Sequence, residues 1–494
     1  MATRRTRTRS GSMASSTPSP HPLLDQRRAG VLMHITSLPG PFGIGDLGPS
    51  AVRFMDWMRA AGLSVWQTLP VGPVGPGDSP YSSPSSFAGE PLLLSPERLA
   101  EDGLATRSDL ARLRRSMTAR GPVRYEKVRR AKMEILEAGF DRFSRAPRQL
   151  HRDHDRFVEG ASSWLPAWTA FAAERDGRSR AFHEFCQWCF ERQWRRLRLE
   201  ARRRGIVLFG DVPIFTALES ADVAAAPDLF KLDRRGRPTV VTGVPPDSFS
   251  KDGQLWGTPH YRWSEHRRDG FRWWRDRIAA ALARFDLVRI DHFIGFVRAY
   301  EVAANARTAR RGVWRRQPGR EVLEAISRDH PDGLPLVAED LGAVTPPVVR
   351  LREEFGLPGM RILQNGFWCD DAFDLPHRYP RNCVVYPGTH DNHVARGWWR
   401  SLESEPRRRF RTYAGVAGTG TSASEGLVRL AMTSPANLAI CQMQDLLDLP
   451  PSSRMNLPGT PRGNWRWRLD ASLADRSSAR RLRSLVAATG RIGP

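Results

Sequence analysis

Lysine is almost missing from this chain: of 76 basic residues, only Lys127, Lys132, Lys231 and Lys251 are lysines, and all the others are arginine. Cysteine is also scarce. Five residues (Cys186, Cys189, Cys369, Cys383, Cys441) spread over 494 positions exclude a disulfide framework and favour a reducing compartment. No apolar run approaches the roughly 18 residues of a membrane span, and the N-terminus has no apolar core of the signal-peptide kind. The cytoplasm is the expected location. HEXXH and P-loop patterns are absent, so the sequence argues for no metal, cofactor or nucleotide.

Acidic residues are absent before Asp25, and residues 1–25 are rich in Arg, Ser, Thr and Pro. Such a segment buries too little apolar surface to fold and reads as a disordered tail. The same composition suits an organelle transit peptide, and Met13 offers a later start. The formal charge of +23 raises nucleic acid as a partner. Against this, the arginines are scattered in doublets such as Arg129-Arg130, Arg203-Arg204 and Arg310-Arg311, with no recognition motif. The excess therefore reads as solvated surface, and neither a nucleic-acid nor a membrane partner is expected. Oligomeric state is not encoded in any visible pattern.

What the chain does have is a series of apolar runs that end in acids. Asp211 closes GIVLFGDVPIF, Asp291 closes FDLVRIDHFIGF, Glu339 closes LPLVAEDLG, and Asp391 follows CVVYPGTHDN. A β-branched run that stops at a carboxylate and breaks at Gly, Pro or Asn reads as a buried parallel strand opening into a loop. Several such strands with helical patterns between them predict an α/β fold, a (β/α)8 TIM barrel with its acids at one rim. Residues 97–204 turn almost wholly helical and read as an inserted subdomain, so the domain plan is a tail over 1–25 and one catalytic barrel over 26–494. Taken singly, each acid could be a helix N-cap or a salt-bridge partner. Four in one register point to the catalytic rim of a barrel.

Retaining cleavage of a glycosidic bond uses one carboxylate as nucleophile and one carboxylic acid as proton donor, about 5–5.5 Å apart. Arg289 precedes Asp291 by two residues, so strand alternation puts both on one face, and a nearby guanidinium should keep Asp291 ionised. Glu339 follows apolar residues, and desolvation should keep it protonated and fit to act as acid. His390, beside Asp391, is open to two readings, a structural histidine or a substrate hydrogen bond. Cys186 and Cys189 form a CxxC pair inside a helical pattern with no second pair, which favours core packing over zinc. Trp256, in GQLWGTP, lies in a loop context where an aromatic face could stack on a sugar ring.

The motifs SLPGPFGIGDLG, WQTLPVGP, SPYSSPSSFAG, GDVPIF, GVPPDSFSKDGQLWG, LVRIDHFIGF, LVAEDLG, GTHDN and MNLPGT occur in series between about Gly30 and Leu469. Together they resemble the 4-α-glucanotransferases called amylomaltase or disproportionating enzyme, glycoside hydrolase family 77. The resemblance implies a (β/α)8 barrel with helical insertions that passes a segment of an α-1,4-glucan to another glucan through a glycosyl-aspartate. It implies Asp291 as nucleophile, Glu339 as acid/base and Asp391 as transition-state stabiliser, with Tyr81, Asp211, Arg289 and His390 around the cleaved bond. It places Trp256 beside a loop that arches over the glucan, and implies maltooligosaccharides and other α-1,4-glucans as partners. Four features depart from the family pattern: Ile294 stands for Arg, Glu90 for Asn, Pro387 precedes GTHDN, and LQNGF replaces LQFAF. Two other readings compete with transfer. One is an α-glucan hydrolase of the same clan, and the other is an Arg-rich, non-catalytic protein that binds glucan or nucleic acid.

Overall fold

The computed structural model describes residues 20–246, 250–368 and 375–493. Eight parallel strands form its centre: β1 Arg28–Leu32, β2 Val65–Gln67, β3 Val207–Pro213, β4 Leu287–Asp291, β5 Leu336–Ala338, β6 Gly359–Ile362, β7 Cys383–Tyr386 and β8 Leu438–Gln442. Neighbours in sequence are neighbours in the sheet, and β8 pairs back onto β1 with Arg28 opposite Leu438. The remaining seam, β5 to β6, is held by the Ala338 N–H donating to the Pro358 carbonyl at 2.9 Å. Asp340 reinforces it by accepting the Met360 N–H at 2.7 Å. The buried Asp340 carboxylate is in turn offset by Arg352 at 3.2 Å and Arg361 at 3.8 Å. The fold is the expected (β/α)8 barrel.

Side-chain alternation along the strands builds two cores. Leu32, Val65, Phe209, Leu287, Val337, Ile362, Val384 and Ile440 fill the barrel interior. Their neighbours Val31, Trp66, Leu208, Val288, Leu336, Val385 and Ala439 pack outward under the helices. Because the strands are parallel, their C-terminal ends share one rim, where the acids lie.

Six helices between Pro96 and Arg203 connect β2 to β3. The last of them, Arg180–Arg203, buries Cys186 and Cys189 with Trp188 and Trp194. Two of its glutamines act as surrogate strand partners for the chain after β2. Gln187 accepts the Gly89 N–H at 2.7 Å and donates to the Gly89 carbonyl at 2.9 Å. Gln193 does the same for Ser95, at 2.7 and 3.2 Å. An amide side chain carries both functions a backbone needs, which is why glutamine serves here.

Three sequence expectations need correction. Trp256 is not in a loop: it belongs to the strand Gln254–Pro259 of a second, antiparallel sheet, with Val240–Val244, Arg298–Ala303 and Val313–Arg316. The Gly and Pro of QLWGTP suggest a loop, but pairing of Leu255 with Gly243 decides otherwise. The arginine excess is not all solvated surface, because Arg28, Arg277, Arg284, Arg289, Arg352, Arg361, Arg468 and Arg491 are buried. Arg491, for instance, donates to the carbonyls of Arg28, Met432, Ser434, Ala436 and Asn437. Of the tail assigned to residues 1–25, the first nineteen lie outside the described residues, but Leu24 is buried and its carbonyl accepts from Asn437 at 3.0 Å.

The interior leaves no room at β1 for a larger residue. A Cβ at Gly30 would stand 2.5 Å from the Val65 carbonyl oxygen and 2.5 Å from Ile440 Cδ1. Because the obstacle includes backbone of the adjacent strand, Gly30→Ala is expected to cost about 1–3 kcal/mol of stability. Urea denaturation checks this, and an unchanged midpoint would contradict it.

Candidate active site

Strand β4 delivers the centre of the site. Leu287, Arg289 and Asp291 share its inner face, and the guanidinium of Arg289 lies between two carboxylates. Its Nη1 donates to both oxygens of Asp211, each at 2.8 Å, and its Nη2 lies 2.7 Å from Asp291 Oδ1. Asp211 comes from the inner face of the adjacent β3, in register opposite Arg289. Arg289 and Asp211 are buried, whereas the Asp291 side chain keeps 30% of its exposure. The pairing with acids holds Arg289 well above its ordinary pKa against its desolvation, so the cation persists at any working pH.

The chain turns sharply after Asp291. His292 sits in the left-handed region at φ 52°, a conformation that costs a non-glycine residue about 1–3 kcal/mol. The turn aims its N–H at Glu339 Oε2, 2.7 Å away, while the Leu341 N–H binds Glu339 Oε1 at 3.0 Å. Glu339 follows β5, next to β4, and its own N–H donates to the Ile290 carbonyl at 3.1 Å. Burial, followed by the negative charge of Asp291, pushes the Glu339 carboxyl up to about 7, although Arg289 and the two backbone donors oppose the shift.

Two further elements complete the rim. Tyr81 donates its phenol to Asp211 Oδ2 at 2.7 Å, and its ring stacks on His390 with centroids 5.2 Å apart and planes 11° from parallel. Burial and the Asp211 charge keep that phenol neutral. Trp465 leans against both rings, at 5.8 Å from Tyr81 and 6.0 Å from His390. Asp391, five residues past the end of β7, accepts from Asn456 Nδ2 at 2.6 Å and lies 3.5 Å from His390 Nε2. Its main-chain carbonyl accepts from Arg454 at 2.5 Å. Trp256 presents its ring edge-to-face to His292, centroids 4.8 Å apart, with 36% of its surface exposed. The eight residues singled out in the sequence thus lie on one connected rim.

Several members of the site carry no local sequence signal. Asn456 and Arg454 hold Asp391 from 65 and 63 residues away; Asn456 lies in the MNLPGT motif, and Arg454 stands just before it. His34, buried beneath His390 and bonded to Thr68 at 3.0 Å, is pushed down to about 3 by burial and by His390. Of the residues that depart from the family pattern, Ile294 is buried in the turn Phe293–Phe296 and contributes packing. Glu90 is also buried, accepting the Val74 and Leu92 N–H groups at 2.7 and 2.8 Å. Among the described residues no cluster of His, Cys, Asp or Glu has the makings of a metal site, and no helix is long and apolar enough to cross a membrane.

The family model for glycoside hydrolase family 77, described as 4-alpha-glucanotransferase, matches residues 33–181 and 172–473. The chain belongs to this family. Within it, the 4-alpha-glucanotransferase of Aquifex aeolicus is 42% identical over 473 residues, covering 90% of this chain and 95% of the relative. That of Thermus thermophilus is 41% identical over 505 residues, covering 94% and 99%. Among solved structures, an amylomaltase from Streptococcus agalactiae in complex with acarbose superposes with a TM-score of 0.89 at 33% identity, covering 94% of this chain and all of that one. As a family 77 member the chain is an enzyme of the 4-alpha-glucanotransferase class.

The electrostatics of this 4-alpha-glucanotransferase rest on the buried Arg289–Asp211 pair. Arg289→Met strands the Asp211 carboxylate and is expected to cost about 3–5 kcal/mol of stability. Adding Asp211→Asn should return part of that loss, and urea denaturation of the single and double variants measures it. A double variant no more stable than Arg289→Met would contradict the pairing argument.

Proposed function

We propose that the enzyme disproportionates α-1,4-glucans by a retaining double displacement, with Asp291 as nucleophile and Glu339 as acid and then base. The observation that carries this reading is the contrast between two carboxyls on adjacent strands. Asp291 lies 2.7 Å from a permanent cation, while Glu339 is buried and pushed up to about 7. One is equipped to attack and the other to hold a proton.

In the first step Asp291 attacks the anomeric carbon as Glu339 gives its proton to the departing 4-oxygen. The donor segment is left as an ester on Asp291. Esterification removes the negative charge that helps to raise Glu339, so Glu339 becomes more acidic at the moment when it must act as base. It then takes the proton from the 4-hydroxyl of an incoming glucan, whose oxygen displaces Asp291. Asp391, oriented by Asn456, and His390 would bind the hydroxyls of the distorted sugar. Tyr81 and Asp211 would shape the donor side, and Trp256, on the second sheet, would stack against the chain. Transfer and hydrolysis share the first step, so acceptor binding must decide between sugar and water.

Incubation with pure maltotriose should give a ladder of longer maltooligosaccharides plus glucose and maltose, with little growth in total reducing ends. Rising reducing ends without longer products would make the enzyme a hydrolase, and no change would favour a binding protein. Asp291→Asn should lower the rate at least about 1,000-fold while leaving the fold intact. Near-normal activity in that variant would remove Asp291 from the nucleophile's place.

The Glu339 assignment fixes a pH dependence. Glycosyl transfer to Asp291 needs the protonated acid, and that form is lost as pH rises through about 7. kcat/KM for maltotriose should therefore fall on the alkaline side of about 7, approaching tenfold per pH unit. A flat profile from pH 6 to 9 would show that this carboxyl is not the acid.

A further inference from the structure

We infer that Gln444 and Asp445, immediately beyond β8, are positioning residues that grip from below the two loops whose meeting orients Asp391. The first loop, residues 388–394, carries His390 and Asp391. It is stiffened internally by Asn392, whose Oδ1 accepts from the N–H and hydroxyl of Thr389 at 2.9 and 3.0 Å. A stiff loop moves as one body, so its downstream anchors set where Asp391 stands. One anchor is the Ala395 N–H, which donates to Asp445 Oδ1 at 2.7 Å, and the other is the His393 carbonyl, which accepts from Gln364 Nε2 at 2.8 Å. The second loop, residues 450–456, carries Arg454 and Asn456, both bonded to Asp391. Its anchor is the Ser453 carbonyl, which accepts from Gln444 Nε2 at 3.1 Å. Two consecutive side chains on one short helix, Met443–Leu446, thus each hold one half of the Asp391–Asn456 contact.

The physical cost borne by Asp445 argues for such a role. Its carboxyl is 3% exposed, and Oδ2 has no hydrogen-bond partner. Burial first, and then the charge of Asp448, oppose its ionisation, and Arg396 lies 3.8 Å from Asp448. A leucine would pack better, but would leave the Ala395 N–H without its acceptor. Gln444 is likewise buried, at 4%.

The inference rests on the transition-state role proposed above for Asp391, and the test separates the two. Asp445→Ala is expected to lower kcat on maltotriose about 10- to 100-fold with KM within twofold, since a displacement of the order of 1 Å at the reacting sugar is costly. Asp445→Asn keeps the acceptor oxygen and should recover activity to within about fivefold of wild type. With a maltotriosyl fluoride donor, Asp391→Ala and Asp391→Ala/Asp445→Ala should be equally slow, because the second change acts only through the residue already removed. Gln444→Ala, which leaves the Ala395 anchor in place, should show the same non-additivity and covers the case in which Asp445→Ala fails to fold. Asp445→Ala within twofold of wild type, or a full multiplicative loss in the Asp391→Ala background, overturns the inference. Near-normal activity of Asp391→Ala alone overturns instead the role given to Asp391.

Discussion

The site depends on one guanidinium being shared among more carboxyls than it can neutralise. Arg289 binds both oxygens of Asp211 with one nitrogen and reaches Asp291 with the other, so its single charge is committed before Glu339 enters the balance. A third carboxyl buried beside that group meets desolvation and a negative neighbour together, and it is pushed up to about 7. The difference in role proposed for these two chemically similar side chains therefore needs no special feature in either. It follows from their order around one cation.

The barrel makes that order reproducible. Asp211 and Arg289 face each other in the β3–β4 ladder, and Glu339 follows β5 with its backbone bonded to Ile290. Register fixes which side chains meet at the rim to within one residue, because a slip of one would turn Arg289 and Asp291 outward together. The strained turn at His292 belongs to the same arrangement, since it delivers an N–H to Glu339 that an extended backbone would point elsewhere.

What was readable from the sequence and what was not divide along this line. The barrel, and the shared face of Arg289 and Asp291, follow from apolar runs and a two-residue spacing, which are local patterns. Trp256 lies in QLWGTP, which has the composition of a loop, while its strand state is decided by pairing with residues around Gly243. Asn456, Arg454, Gln444 and Asp445 have no periodicity to betray them, because their partners lie on loops that only the closed barrel brings together. The buried arginines escaped for a similar reason. Composition counts charges but does not show that Arg491 would end among five main-chain carbonyls.

The scarcity of lysine acquires meaning at Lys132. Its ammonium is buried, donates to the Leu92 and Leu94 carbonyls at 2.7 Å each, and lies 3.7 Å from Asp46. Glu90 binds the same turn from the other side through the Leu92 N–H, so Leu92 is held by its donor and its acceptor at once. Burial opposes the charge of Glu90, and Arg129 and Lys132 offset that cost. A planar guanidinium at position 132 would be bulkier and would spread five donors over acceptors arranged for a compact ammonium. An arginine-rich chain thus has a lysine where a compact ammonium suits the acceptors, and the buried Glu90 has cations beside it.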